Sequence, residues 1–446
     1  MPEIRPIPAL RYAQGSGGQD VSAVIAPPYD VLTADTKARL LAQSPHNIVA
    51  VDLPHLPAKA LGPDETYVRA GAQFRTWRDA GVIVEHERPA LFVYQQTYDA
   101  AGRRYQRRGL FANVGVQTFG KSPPGSSGQG GIYPHEQTFA AAKQDRLKLM
   151  QATAAQLSPI FGIYSDADST VAAMLDEVIT TRPRLMQGST PFDRVQHELW
   201  AVEDPDTIAR FASVLSRADI FIADGHHRYN TALNYLTELE ASGQPVPPRA
   251  RDCMFVLIAM QDAGMIVLPT HRVLGSLADF TLDRFTQAAA GKLTVTPFSG
   301  SDVGALEEAI NARPATEHAV GLVVREGDTL RLAIATTTTP DPLAATHPGQ
   351  SEAWRSLDVA IVQHVIVEGL CQPSFAGGRE VTWKFPHELA EVTALLADPA
   401  WQLGLILRPT PLDAVRRVAE AGELMPQKST FFYPKLATGL LVNPLA

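Results

Sequence analysis

A chain of 446 residues, 45% hydrophobic and 19% charged, is globular in composition and too long for one ordinary core, so two or three domains are expected. Its net charge of −8, from 39 basic and 47 acidic residues, lacks the basic footprint of nonspecific nucleic-acid binding. Cys253 and Cys371 stand in no metal or redox spacing, the opening Met-Pro-Glu-Ile-Arg-Pro has no signal-like apolar run, and the most apolar stretch, 254–269, is broken by Gln261, Asp262 and Gly264. A cytoplasmic protein with no membrane span is expected.

Residues 1–118 read as an N-terminal mixed α/β domain. Ala26-Pro27-Pro28-Tyr29-Asp30 is an extended or turn segment, because each proline pushes its predecessor out of the α region. Tyr67, Ala70, Phe74 and Trp77 share one face of a helix. Residues 91–98 and 105–116 form a hairpin around Ala100-Ala101-Gly102, with Arg103, Arg104, Arg107 and Arg108 expected as a solvated basic face, the alternative being an anion-docking surface. Residues 119–131 are a flexible Gly/Ser/Pro-rich loop. Residues 132–275 are the expected catalytic core: a helix over 138–156, a strand at 160–164, helices near 167–181 and 205–217, a strand ending at Ala223, and a hairpin of 254–260 with 265–268. Residues 276–446 form a C-terminal α/β domain with helices near 280–290, 302–312, 355–370, 387–397 and 411–421, a hairpin turning at Gly327-Asp328, and a lysine-rich end. Hairpins interleaved with strand–helix alternation make the class α+β.

The densest chemistry is Phe221-Ile222-Ala223-Asp224-Gly225-His226-His227-Arg228-Tyr229. An apolar strand turns at Gly225 into a helix on which Tyr229, Leu233, Leu236 and Leu239 repeat. Such a turn gathers free N–H groups and the positive end of the helix dipole, where anions and above all phosphates bind. His226, His227 and Arg228 add donors worth about 1.5–3 kcal/mol each toward ionised oxygens.

Three further groups carry chemistry. Tyr133-Pro134-His135-Glu136 opens a helix on which Lys143 and Arg146 lie three apart, within reach of one anion; Glu136 is placed to accept a proton from a bound alcohol. Pro269-Thr270-His271-Arg272 ends a strand with a hydroxyl, an imidazole and a guanidinium. Near the C-terminus, Lys428-Ser429-Thr430 and Lys435 surround aromatics, but no glycine-rich loop precedes them, so this is not a Walker A motif.

Pro134-His135-Glu136, a helix, the strand 160–164 and the Asp224–Arg228 turn, in that order, resemble the ParB/sulfiredoxin-like superfamily and most closely its free-serine kinases, with an insertion at about 166–218. The whole chain resembles domain-of-unknown-function family 1015, through Ala26–Val31, His135-Glu136 to Arg146, Asp224–Tyr229, Pro269–Arg272 and Pro426–Lys435. The kinase resemblance implies a ParB/sulfiredoxin-like core and a transfer of phosphate from ATP or ADP, with magnesium, to a hydroxyl-bearing metabolite, free serine above others. Glu136 would take the hydroxyl proton, with Asp224 and His226 as catalytic partners. Gly225, His227, Arg228, Lys143, Arg146, Thr270, His271, Arg272, Lys428, Ser429, Thr430 and Lys435 would hold phosphate or nucleotide, and His135 and Tyr229 the substrate. No protein-bound metal is certain, and neither nucleic acid nor membrane is an expected partner; a homo-oligomer is compatible with the sequence. Sulfiredoxin chemistry is excluded because His226 stands where that cysteine would be. The alternatives are a metal-dependent hydrolase or phosphatase, built on His135, Glu136, Asp224, His226 and His227, and a nucleotide- or phosphate-sensing module without turnover.

Overall fold

The computed structural model describes residues 3–13, 19–121, 130–327 and 329–445. They fall into two compact units, 3–266 with 434–445 and 267–433. Both combine helices with hairpin-rich sheets, so the fold is α+β. Among the described residues no helix is long and apolar enough to cross a membrane.

The first unit is built on an 11-stranded mixed sheet. Its path runs Gln19–Asp20, Met186–Ser189, Gln196–Val202, Leu91–Ala100, Arg103–Gly115, Asp252–Ala259, Ile160–Tyr164, Ile220–Asp224, Gly131–Tyr133, Gly120–Lys121, with Ile4–Arg5 also on Arg103–Gly115. The expected hairpin is present, turning through Ala101 and Gly102 at φ +48 and +73, the mirror-image turn geometry that suits strand twist. The basic face expected there is mixed: Arg103 and Arg104 are exposed, whereas Arg107 is buried. Of the loop expected at 119–131, residues 122–129 lie outside the described residues, as does Asp328 in the turn expected at Gly327-Asp328.

The strand Asp252–Ala259 is not half of a hairpin with the residues that follow. It lies between Arg103–Gly115 and Ile160–Tyr164, parallel to the latter. All eight of its residues are buried, and a strand covered on both faces belongs inside a sheet rather than at its edge. The stretch 166–218 supplies the helices Thr170–Thr181 and Pro205–Leu215 and the strand Gln196–Val202, which extends the sheet beside Leu91–Ala100.

Helices Asp64–Asp79 and Ala140–Thr153 pack closely at Gly71, where an added Cβ would run into the Ala152 carbonyl. Tyr67, Ala70, Phe74 and Trp77 are all buried, as the spacing expects. The second unit carries a six-stranded antiparallel sheet, in the order Leu293–Phe298, Thr329–Thr337, Ala319–Glu326, Trp401–Ile406, Arg272–Gly275, Thr382–Lys384. Its helices include Leu282–Ala288, Val303–Asn311, Leu389–Leu396 and Leu412–Glu420. The helix expected at 355–370 starts at Asp358–Ile361 and continues as a π-helix over Val362–Cys371.

Gly71→Ala is expected to lower stability by about 1–3 kcal/mol through overpacking, read as a lower urea midpoint. An unchanged midpoint would show that the helices separate without cost.

Candidate functional site

In the first unit, Gly131–Tyr133 pairs in parallel with Ile220–Asp224, matching Ile132 with Ile220 and Tyr133 with Phe221. Both strands therefore finish side by side, and the residues that follow them, 134–139 and 225–228, meet. Gly225 makes the turn at φ +99, a conformation only glycine adopts without strain. A Cβ there would sit 3.2 Å from the Arg228 guanidinium. The helix His226–Ala241 begins immediately after it.

Two imidazoles bind the segments together. The His135 amide donates to His226 Nε2 (3.2 Å) and the Phe139 amide to His227 Nε2 (3.1 Å). Burial, then the neighbouring His135, holds His226 well below its ordinary pKa. Burial, then Lys59, does the same to His227 more weakly. Both rings are neutral at physiological pH, and their accepting Nε2 atoms place the remaining proton on Nδ1. In His226 that Nδ1 faces Glu136 Oε2 at 3.8 Å. Glu136 itself is 37% exposed while His226 is buried, so a carboxylate open to solvent is backed by an N–H group. The imidazoles expected to contact phosphate are thus engaged first as acceptors that fix the loop carrying Glu136.

Asp224 ends its strand as the centre of a charge cluster. Its Oδ2 accepts from Arg228 Nη2 at 2.6 Å and its Oδ1 from Lys435 Nζ at 2.8 Å. Burial works against its ionisation, but Lys435 and Arg228 outweigh it and hold the carboxyl far below the usual range. Arg228 also donates through Nη1 to the Pro159 carbonyl. Asp30, from the Pro-Pro-Tyr-Asp segment, pairs with Lys59 at 3.0 Å. Burial, the largest influence, and the Asp224 charge oppose the ionisation of Asp30, but Lys59, Arg228 and Lys435 together hold its carboxyl below the ordinary range. The composition of the cluster is therefore two aspartates, two lysines and an arginine, with Glu136 beside it.

Other expected site residues have different surroundings. The Arg146 guanidinium is buried over the Tyr29 ring at 3.9 Å and donates to Asp145 Oδ2 (2.8 Å) and the Asp52 carbonyl (2.7 Å). Asp145 also accepts from Tyr67 and bonds His55, each at 2.7 Å. Arg146 therefore locks three segments together instead of joining Lys143 on an anion. Lys143 is half-buried and lends its carbonyl to Thr231. Tyr229, expected at the substrate, is fully buried, its hydroxyl donating to the Gln117 carbonyl at 2.6 Å.

The remaining candidates belong to the second unit. Buried Arg272 stacks on Phe385 at 4.9 Å and donates to the carbonyls of Thr270 (2.5 Å) and Lys428 (3.0 Å). Burial lowers it to about 9. His271 is buried, accepts the Leu407 amide at Nδ1 and has Nε2 3.6 Å from Glu307. Thr270 is buried beside His387. Arg272 and the Nδ1 of His271, expected at phosphate, are thus spent on backbone within this unit, while His271 Nε2 faces Glu307. Lys428 is exposed at φ +59, Ser429 donates to the Pro426 carbonyl, and Thr430 is half-buried.

Asp30, Lys59 and Asp52 lie outside the chemistry-bearing motifs of the sequence. The Pro-Pro-Tyr-Asp segment was a usable signal for Asp30, because a rigid turn ending in an acid suits a site; Lys59 lies in an aperiodic stretch with no such mark. Among the described residues no group of three or more His, Cys, Asp or Glu side chains is arranged to hold a metal ion.

Because His135 and His226 are kept neutral by burial, the unfolded chain takes up protons below pH 6.5 that the folded chain refuses. Stability is then fully present above about pH 6.5 and falls below it, by up to about 1.4 kcal/mol per pH unit for each imidazole. Urea midpoints measured from pH 7.5 to 5.5 should fall; a flat profile would contradict the neutral assignment.

The family of proteins of unknown function DUF1015 matches residues 4–360. No curated protein matches the chain. Among solved structures, a free serine kinase in complex with AMP is 12% identical, with a TM-score of 0.33, over 68% of this chain and 83% of that one. A conserved hypothetical protein from Pyrococcus furiosus is 13% identical, with a TM-score of 0.32, over 68% and 88%. C-terminally truncated SbnI from Staphylococcus aureus is 10% identical, with a TM-score of 0.32, over 69% and 82%.

Proposed function

The chain belongs to the DUF1015 family, whose description carries no activity, and from its site we propose a phosphotransferase that moves a phosphoryl group from a nucleotide to a hydroxyl-bearing metabolite. The supporting observation is the pairing of Glu136 with the Asp224–Arg228 corner: a solvent-reachable carboxylate 3.8 Å from His226 Nδ1, beside a glycine turn, a helix N-terminus and the cations Arg228 and Lys435. Phosphoryl transfer asks mainly for positioning and charge neutralisation, which this inventory supplies.

In this reading the phosphates lie against the amides after Gly225 and the ammonium of Lys435. Glu136 takes the acceptor's proton, and the dipole of the His226 Nδ1–H, 3.8 Å from the carboxylate, steadies its charge without a hydrogen bond. Neutral His226 serves that role better than an imidazolium would, because a full positive charge beside Glu136 would weaken it as a base. Asp224 stays ionised and orients Lys435 and Arg228.

Magnesium enters this reading with the nucleotide: Asp224 disfavours the ionisation of Asp30, and a hard cation held by one or two carboxylates and the nucleotide's phosphates is the usual arrangement. When bound, the ion would neutralise phosphate charge. Free serine is the proposed acceptor, through the motif resemblance of Pro134-His135-Glu136 and Asp224–Arg228.

The test is incubation of purified protein with ATP or ADP, magnesium and a panel of hydroxy-metabolites that includes serine, with phosphorus NMR as the readout. Transfer to one acceptor is expected, and Glu136→Gln should slow it by about 10²–10⁴-fold while nucleotide affinity by calorimetry stays within about twofold, since the change removes a base and not a phosphate contact. Absence of transfer across the panel, with either donor, would defeat the proposal.

A further inference from the structure

Arg107 lies directly across the sheet from Gln96, and each is only 1% exposed. Burial pushes the guanidinium down to about 10, so it remains a cation at neutral pH. A buried charge is costly unless its donors are used. Here Nε donates to Gln96 Oε1 at 3.1 Å and Nη2 to the Pro434 carbonyl at 2.5 Å. The Gln96 amide nitrogen in turn donates to the Lys435 carbonyl at 3.0 Å.

Two residues earlier on the same strand face, the Tyr94 hydroxyl accepts from the Ala437 amide and bonds His197 Nδ1 at 2.7 Å. His197 Nε2 bonds Thr190 Oγ1 at 3.0 Å, and Thr190 donates to Asp193 at 2.5 Å. Burial and then Arg107 push His197 down to about 3, so the ring is neutral and passes hydrogen bonds in one direction from the Ala437 amide to the Asp193 carboxylate. Thr438 then pairs with Ala26 in both directions (3.1 and 2.8 Å), just before the turn that ends at Asp30. The backbone is thus held at 434, 435 and 437 by side chains of two adjacent strands, and at 438 by the segment leading to Asp30.

We propose that Arg107 and Gln96 are positioning residues that fix the backbone of Lys435 so that its ammonium meets Asp224, a role whose catalytic consequence rests on the phosphotransferase reading above. A lysine side chain is a point charge on a flexible four-carbon stem, and holding its Cα still narrows which carboxylate oxygen it meets. The clamp bonds carbonyls, so it sets where residue 435 stands and leaves the charge to the side chain. Without it, the ammonium would be shared between Asp224 and water.

The full-length Arg107→Met and the milder Gln96→Ala proteins test this by limited amine acetylation and peptide mass spectrometry, with exposed Lys384 as internal reference. Lys435 labelling should rise about fivefold or more in a variant that keeps its fold, because local opening exposes the amine, with Lys384 unchanged. In phosphate transfer, kcat should fall about tenfold with a smaller change in KM, the cost of misplacing a group, and the Arg107 change should add nothing further in a Lys435→Met background. Unchanged Lys435 labelling in a folded variant would overturn the proposal. Raised labelling with no phosphate transfer by the unaltered protein would uphold the clamp and refute the phosphotransferase reading instead.

Discussion

An ionised carboxylate drawn partly out of water demands cations, and Asp224 receives one on each oxygen, from Arg228 in the first turn of the helix that follows its strand and from Lys435, 211 residues away. The near partner follows from the turn itself. The distant one requires residues 434–445 to return to the first unit, where Thr438 pairs with Ala26, Val442 with Leu10 and Asn443 with Gln156. Removing one partner of a buried pair costs about 3–5 kcal/mol, because the other charge is stranded; with side chains 12–20% exposed the figure here falls toward the lower end. The return of the terminal segment is therefore coupled to the charge state of the site.

The other half of the site depends on backbone amides rather than charge. His226 and His227 accept from the amides of residues 135 and 139, which holds the Glu136 loop against the helix start. Neutral imidazoles can accept in this way and charged ones cannot, so the burial that keeps the rings uncharged also keeps Glu136 in place. Fold and chemistry share one condition: the His226 ring stays dry while the carboxylate beside it stays wet.

Local pattern in the sequence carried most of the helices and the corner itself. The helical face of Tyr67, Ala70, Phe74 and Trp77 and the apolar strand leading into Asp224-Gly225 are short-range features that need no knowledge of partners. Long-range pairing was invisible. Residues 252–259 are followed closely by another apolar run, which suggests a hairpin, yet burial on both faces gives that strand better neighbours at 103–115 and 160–164. Arg107 looked like one member of an exposed basic run; alternation along the strand turned it inward, where Gln96 and the Pro434 carbonyl meet it. Arg272, which stands beside a hydroxyl and an imidazole at a strand end and so resembles an anion contact, is likewise a carbonyl clamp, within the second unit. A guanidinium has enough donors to serve either purpose, and only its surroundings decide between them.

In the phosphotransferase proposed above, Glu136 and the Asp224–Lys435 pair face one phosphate-bearing ligand. A crystal structure of the full chain with a non-hydrolysable ATP analogue, magnesium and serine tests it most directly. Phosphate oxygens are expected against the amides following Gly225 and within hydrogen-bond reach of Lys435 Nζ, with the acceptor hydroxyl facing Glu136. A nucleotide bound elsewhere, with the Asp224–Lys435 pair and the Glu136 loop untouched, would contradict it.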